Sequence, residues 1–200
     1  MKNELKITQE SSVMLAKTKK MLGLSSKLLS KDQPLSLRTA TTNLSQALIA
    51  ERYRDEGDGT LTDLITGLQW QRISVGQRWV NRECVGEAEK YKWDEAFEIA
   101  QSNSFAGYQD WRLPTKEELH GLVYSSSGLP NIWLKIDEKC EGDYQQPTIV
   151  EQAFPNTYPS VVWSSSQDII YSISAWGINF YNGYTHNYNL NYNFHVRLVR

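Results

Sequence analysis

The stretch from Trp176 to Arg200 constrains this chain more than any other. It is dominated by Asn and Tyr and contains neither Lys nor Glu. Asn182-Gly183 lies between strand-like flanks, and Asn-Gly in that setting is a strong signal for a two-residue hairpin turn. Tyr supplies large, rigid contact area at low entropy cost, and Asn supplies adaptable hydrogen bonding, which is the chemistry of a paratope. An active site needs titratable groups with tuned pKa values instead. The expectation is a non-enzymatic binding protein whose contact surface lies near its C-terminus. The candidate contact residues are Tyr181, Asn182, Tyr184, His186, Asn187, Tyr188, Asn189, Asn191, Tyr192 and Asn193, with Tyr171 from the neighbouring loop Asp168 to Ser172. Strands ending at Phe180 and starting at Phe194 would supply the rigid frame that binding loops require.

Charge divides the chain. Residues 1–54 hold ten Lys/Arg against four Asp/Glu, and residues 55–200 hold eleven against nineteen. A basic segment therefore precedes an acidic domain. Polyanion binding needs clustered Lys and Arg, so nucleic acid and sulfated polysaccharide are poor ligands for the acidic part. Two cysteines, Cys84 and Cys140, are fewer than a secreted disulfide scaffold uses. Neither a signal-peptide pattern nor a run of membrane-spanning length is found, so the expected compartment is the cytoplasm with both thiols free.

The expected domains are a helical segment over 1–51 and a folded domain over 52–200. Thr8 to Lys31 reads as a basic amphipathic helix with a Leu- and Met-rich stripe, and Ser36 to about Arg52 as a second helix. These helices either pack on the domain or each other, or assemble copies of the chain or dock a partner protein. Lying on a membrane surface is the least favoured reading, because the stripe has no aromatic residue. Glu56-Gly57-Asp58-Gly59 signals a turn between short strands, with further strands over Thr60 to Thr62 and Leu68 to Arg72. Arg78 to Tyr91 reads as a charged loop and Trp93 to Ser102 as a helix. Thr115 to Val123 reads as a helix opened by a Thr115/Glu118 capping box. Leu134 to Glu151 reads as a surface insertion. Val161 to Ser164, Ser174 to Phe180 and Phe194 to Val199 read as strands.

These motifs resemble, in order, those of the Lcl C-terminal domain family, named after a collagen-like bacterial adhesin. Gly57-Asp58-Gly59-Thr60 with Asp63, Thr66-Gly67-Leu68 and Trp70-Gln71 are similar to its opening. Trp93, Glu95-Ala96, Gly107-Tyr108, Asp110 to Thr115 and Glu117-Glu118-Leu119 resemble its centre. Phe154 to Thr157, Trp163 to Ser166, Ala175-Trp176, Gly183 and Val196 to Arg200 resemble its end. The resemblance covers roughly residues 52–200. It implies an α+β, C-type-lectin-like fold of the branch that includes the formylglycine-generating enzyme, with two helices flanking small antiparallel sheets. Trp70, Trp111, Trp163 and Trp176 are then expected in the core, and Asp110 with Arg112 as a buried ion pair. Many relatives carry a pairing cysteine in the first helix and another in the last strand, where this chain has Ala100 and Leu198. The prototype adhesin binds sulfated polysaccharides, a ligand class that does not suit this acidic domain.

The parts of an enzyme are missing from the sequence. The reactive cysteine pair of the formylglycine-generating branch is absent, and Cys84 and Cys140 read as incidental. His120, His186 and His195 lack zinc-ligand spacing. His120 reads as a surface or packing residue, and His186 and His195 as part of the Asn/Tyr surface. Asp55, Asp58 and Asp63 are explained by a hairpin without a calcium ion. Neither a metal nor a cofactor is expected. The tail itself has two readings. It resembles the variable region of diversity-generating retroelement proteins, in which adenine randomisation retargets Asn codons. Positions 181–195 hold only Asn, Tyr, His, Thr, Leu, Phe and Gly, all reachable in that way. The other reading is a fixed carbohydrate- or protein-binding module.

Overall fold

In the computed structural model, which describes residues 48–200, the turn signals of the opening segment resolve into an antiparallel sheet. Strands β1 (Tyr53–Asp55), β2 (Thr60–Asp63) and β3 (Gln69–Gln71) lie in that order. Asp side chains make the turns. Asp55 Oδ1 accepts the Gly57 amide at 2.8 Å, and Asp58 Oδ1 accepts the Thr60 amide at 2.9 Å. Gly59 has φ +93°, and a Cβ there would stand 2.6 Å from the Trp79 ring, so both backbone and space demand glycine. The expected helix from Thr8 to Lys31 lies outside the described residues, as does most of the one from Ser36. The latter does not reach Arg52. Ile49 bridges Tyr53, with Ala50 and Glu51 at φ +50° and +55°, a tight turn that no helix can enter. Arg52 is instead a buried side chain that clamps Asp63 at 2.6 Å.

The charged stretch expected as a loop is partly a hairpin, β4 (Arg78–Val80) with β5 (Glu83–Val85). Its turn residues, Asn81 and Arg82, both have positive φ, which suits a two-residue hairpin without the usual glycine. Helix α1 spans Trp93–Ser102, as its periodicity predicts, and buries Ala96 and Ala100. Helix α2 (Lys116–His120) opens with the expected capping box: Thr115 accepts the Glu118 amide, and Glu118 accepts the Thr115 amide. It stops short of Val123 because the chain turns at Gly121 and Val123 bridges Ile149. The segment Leu134 to Glu151 is no mere surface insertion. It buries Leu134, Cys140, Thr148, Ile149 and Val150.

The second sheet is β6 (Val161–Gln167), β7 (Ser174–Asn179) and β8 (Tyr184–Asn189), all antiparallel. Alternation along a strand sends neighbouring side chains to opposite faces. Val162 and Ile178 go to one hydrophobic cluster with Leu119, Leu122 and Phe180. Trp163 and Ala175 go to another with Ala96, Ala100, Trp111 and Leu198. Ala100 and Leu198 thus share a packed apolar cluster.

Phe194 to Val199 does not form a strand of any ladder. It threads between elements, so each residue meets a different partner. Phe194 bridges Tyr91, His195 bridges Val162, and Val199 bridges both Trp70 and Arg112. Between them Arg197 is completely buried. Its guanidinium donates to the carbonyls of Gln71 and Arg72 and to the hydroxyls of Ser74 and Thr157, over the ring of Phe154. Trp70, Trp111 and Trp163 are buried as expected. Trp176 is only half-buried, because its side of β7 opens beside Lys116, whose Nζ sits 4.4 Å from the ring. Asp110 and Arg112 do not pair with each other. Asp110 is exposed and takes Arg200 at 2.7 Å, whereas Arg112 takes Glu118 at 2.8 Å.

Candidate functional site

The Asn/Tyr segment forms the β7–β8 hairpin and the coil that follows it. Gly183 fixes the turn. Its φ is +77°, and a Cβ there would lie 2.6 Å from Val123 and 3.3 Å from the Cys140 sulfur. The hairpin tip is therefore pressed onto the core, and the strand leaving it has one defined orientation. On the inward face Thr185 is buried, and its hydroxyl meets His120 Nδ1 at 2.8 Å. On the outward face the period of two aligns Tyr184, His186 and Tyr188. Tyr184 stacks on His186 with centroids 6.2 Å apart, and His186 meets the Tyr188 edge at 5.3 Å. Tyr188 meets Phe194 at 4.9 Å, and Phe194 meets Tyr192 at 5.9 Å. A continuous aromatic row results. It starts exposed at Tyr184, dips into the second core at Tyr188 and Phe194, and returns to solvent at Tyr192.

The sequence candidates divide accordingly. Tyr171, Tyr181, Tyr184, His186, Asn191, Tyr192 and Asn193 are exposed. Tyr188 is half-buried against Trp163 and Phe194. Three of the Asn side chains serve the backbone or the frame. Asn182 accepts the Tyr184 amide at 3.1 Å, Asn189 accepts the Asn191 amide at 3.0 Å, and Asn187 donates to Asp168. His195 does not join the surface, in contrast to His186. It is buried, stacked on Tyr158 and hydrogen-bonded to the Glu89 carbonyl, because the C-terminal segment turns inward at Phe194.

Beside the hairpin tip lies an open cleft of about 650 Å3 lined by Pro130, Asp137, Glu138, Lys139, Glu141, Asn182 and Tyr184. Its three carboxylates outnumber its single lysine, so its field repels anionic ligands. At the other end of the sheet the β6–β7 loop carries Ile169, Ile170, Tyr171 and Ile173, all exposed. Asp168 to Ser172 is the loop expected beside the contact surface, and of its residues the sequence singles out only Tyr171 as a contact.

Residues 59–200 match the model of the Lcl C-terminal domain. The chain belongs to that family. No curated protein matches it. In this Lcl C-terminal domain both cysteines, His120, His195 and the aspartates of the first sheet are engaged in structure. Burial pushes the Cys84 and Cys140 thiols above their ordinary pKa and so against thiolate formation. Burial also lowers the pKa values of His120 and His195, which holds both rings neutral. Asp55 pairs with Arg72 and Arg82, Asp58 holds Thr60, and Asp63 holds Arg52. Among the described residues no group of three or more His, Cys, Asp or Glu is placed to hold a metal ion, and no helix is long and apolar enough to cross a membrane.

Proposed function

We propose that this protein is a non-enzymatic binding protein that presents the outward face of its β7–β8 hairpin, with the following coil, to a ligand. The reading rests on one observation: an aromatic row from Tyr184 to Tyr192, flanked by exposed Asn191, Asn193 and Tyr181, fixed on a sheet whose other face is core. Rigid aromatic anchors with adaptable amide neighbours make a contact surface at low ordering cost. The small antiparallel sheets and two helices fit a C-type-lectin-like frame of the formylglycine-generating-enzyme branch, without that branch's cysteine pair. Residues 1–51 would multiply weak single-site affinity by assembling copies or docking a partner. Size measurement of the chain lacking Met1 to Ala50 tests that role.

The surface is best explained as retroelement-diversified. Every residue from Tyr181 to His195 is of a type that adenine-directed change of an Asn codon reaches or of the Gly that turns the hairpin. A fixed-specificity carbohydrate- or protein-binding module is the second reading. It is favoured by the Asn side chains at 182, 187 and 189, whose abundance the frame itself explains. Sequencing the DNA downstream of the gene separates the two. A near-copy of the gene's 3′ end differing mainly at adenines, beside a reverse transcriptase gene, is the expected result. Its absence leaves the fixed module. The binding role itself is tested on glycan and protein arrays. The Tyr184→Ala/Tyr192→Ala variant should lose every signal the full chain gives, and unchanged signals would refute the assignment of the face.

A further inference from the structure

The β6–β7 loop exposes aliphatic side chains that the fold does not use. Ile169 is 99 % exposed, Ile170 77 % and Ile173 65 %, with Tyr171 at 60 % beside them. Isolated exposed hydrophobics are ordinary, but a contiguous exposed group marks an interaction site. The loop is also held in shape. Asp168, itself buried, accepts the amides of Ile170 at 2.8 Å and Tyr171 at 3.2 Å with one carboxylate oxygen, and the Asn187 side chain with the other. The Ser174 amide closes the loop onto the Tyr171 carbonyl at 2.8 Å. Through Asn187, the same aspartate ties the tip to β8. The aliphatic tip and the aromatic row are thus parts of one rigid assembly.

Resting on the binding role proposed above, we infer that the ligand is a folded protein with an uncharged apolar cleft, into which Ile169 and Ile170 insert as anchors. Two features select that occupant. Sugars present hydroxyls and are met by polar groups and aromatic faces, so three bare isoleucines would gain little from a glycan. Charge does the rest. From Val161 to His195 there is no Lys, Arg or Glu, and the sole Asp is the buried Asp168. An anionic lipid surface is engaged through clustered Lys and Arg, and that segment has none, while Lys116 beside it is held over the Trp176 ring. An apolar centre rimmed by Tyr and Asn is instead the pattern of a protein–protein contact, in which a few desolvated anchors carry the affinity.

The test pans a phage-displayed library of small folded scaffolds with randomised surfaces against the full chain. Binding of enriched clones is then compared among the wild type, Ile169→Asp/Ile170→Asp, the milder Ile169→Ser and Tyr184→Ala/Tyr192→Ala. All four should melt alike, since the replaced side chains are exposed. The expected result is clones with apolar randomised surfaces whose affinity falls at least about tenfold in the Asp variant and less in the Ser variant. Affinity should hold between about 50 and about 500 mM NaCl, because no ion pair is involved. The inference is overturned by any of four results: clones indifferent to both isoleucine changes, no enrichment at all, co-sedimentation with phosphatidylcholine/phosphatidylglycerol vesicles that the Asp variant loses, or self-association that it loses. If the isoleucine variants bind normally while the tyrosine variant fails, the anchor is wrong and the broader binding role stands. If the tyrosine variant binds normally while the isoleucine variants fail, the anchor stands and the aromatic face is not the contact.

Discussion

Truncating Tyr184, Tyr188 and Tyr192 together would, on sequence grounds, abolish binding and leave the fold intact. The structure predicts a different outcome for one of the three. Tyr188 is half-buried, lies between Trp163 and Phe194 and covers Gly177, where a Cβ would come within 3.4 Å of its ring. Truncating a fully buried large aromatic to Ala costs about 3–5 kcal/mol. Half burial retains about half of that, about 1.5–2.5 kcal/mol, and the edge-to-face pairs with Trp163 and Phe194 add about 0.5–1.5 kcal/mol each. The expected cost of Tyr188→Ala is therefore about 2.5–5.5 kcal/mol. At about 2–4 °C per kcal/mol for a domain of this size, its Tm falls by about 5–22 °C. Tyr184→Ala and Tyr192→Ala remove exposed rings and should stay within about 0.5 kcal/mol of the parent. Tyr188→Phe keeps the packing and should melt like wild type. Thermal unfolding of the four single variants by near-ultraviolet circular dichroism checks the partition. A Tyr188→Ala protein melting with the parent, or Tyr184→Ala as the most damaged, would refute the division of the row into frame and face.

Other expectations follow from buried polar groups. Arg197→Met strands four buried acceptors, each costing about 1–3 kcal/mol when unpaired, against a total stability of about 5–15 kcal/mol. Cooperative melting should be lost or strongly lowered, with Arg197→Lys recovering only part, and a stable Arg197→Met would disprove the linchpin role. His120 and His195 are neutral in the fold and bind protons more readily when unfolded, so their contribution is fully present above the ordinary value of 6.5 and is lost as pH falls below it. A urea midpoint that declines from pH 7 to pH 5, with a shallower decline in His120→Gln, is expected, and a flat profile argues against it. Both cysteines are free and buried. Ellman's reagent should therefore titrate two thiols in denaturant and neither quickly in the native state, and rapid native labelling would show that the core opens.

Much of the frame was legible in the sequence, and where the reading failed the cause was tertiary. Helix α1 followed from Trp93, Ala96, Phe97 and Ala100 at helical spacing, and α2 from the Thr115/Glu118 box, because both signals are local. The β4–β5 hairpin was hidden by Asn81-Arg82, whose left-handed conformation carries no glycine signature. The burial of Leu134 to Val150 was hidden by its charged neighbours. Strand β8 was implied by the Asn182-Gly183 turn, but its extent was not legible, because Tyr184 to Asn189 lacks apolar alternation and Thr185 alone marks its inner side. At the candidate site the sequence identified the exposed tyrosines. It could not separate exposed Asn191 and Asn193 from turn-making Asn182 and Asn189, since the two kinds differ only in where the side-chain oxygen points. Ile169 and Ile170 lie in the loop Asp168 to Ser172 read beside that surface, but only Tyr171 was singled out there, because aliphatic residues are ordinarily taken as interior.

The order of parts along the chain carries a consequence for inheritance. The residues that close the fold, Val196 to Arg200, are translated after the hairpin face, and they hold β3, Arg112 and the two clusters together. A shift of reading frame anywhere in the face removes Arg197 and strands the buried groups it binds, the Gln71 and Arg72 carbonyls and the Ser74 and Thr157 hydroxyls. Substitutions at the exposed positions leave that closing segment unchanged. The exposed positions of the hairpin can therefore change one by one without touching the contacts that close the domain, whereas a change of frame within the hairpin costs the domain its closing segment.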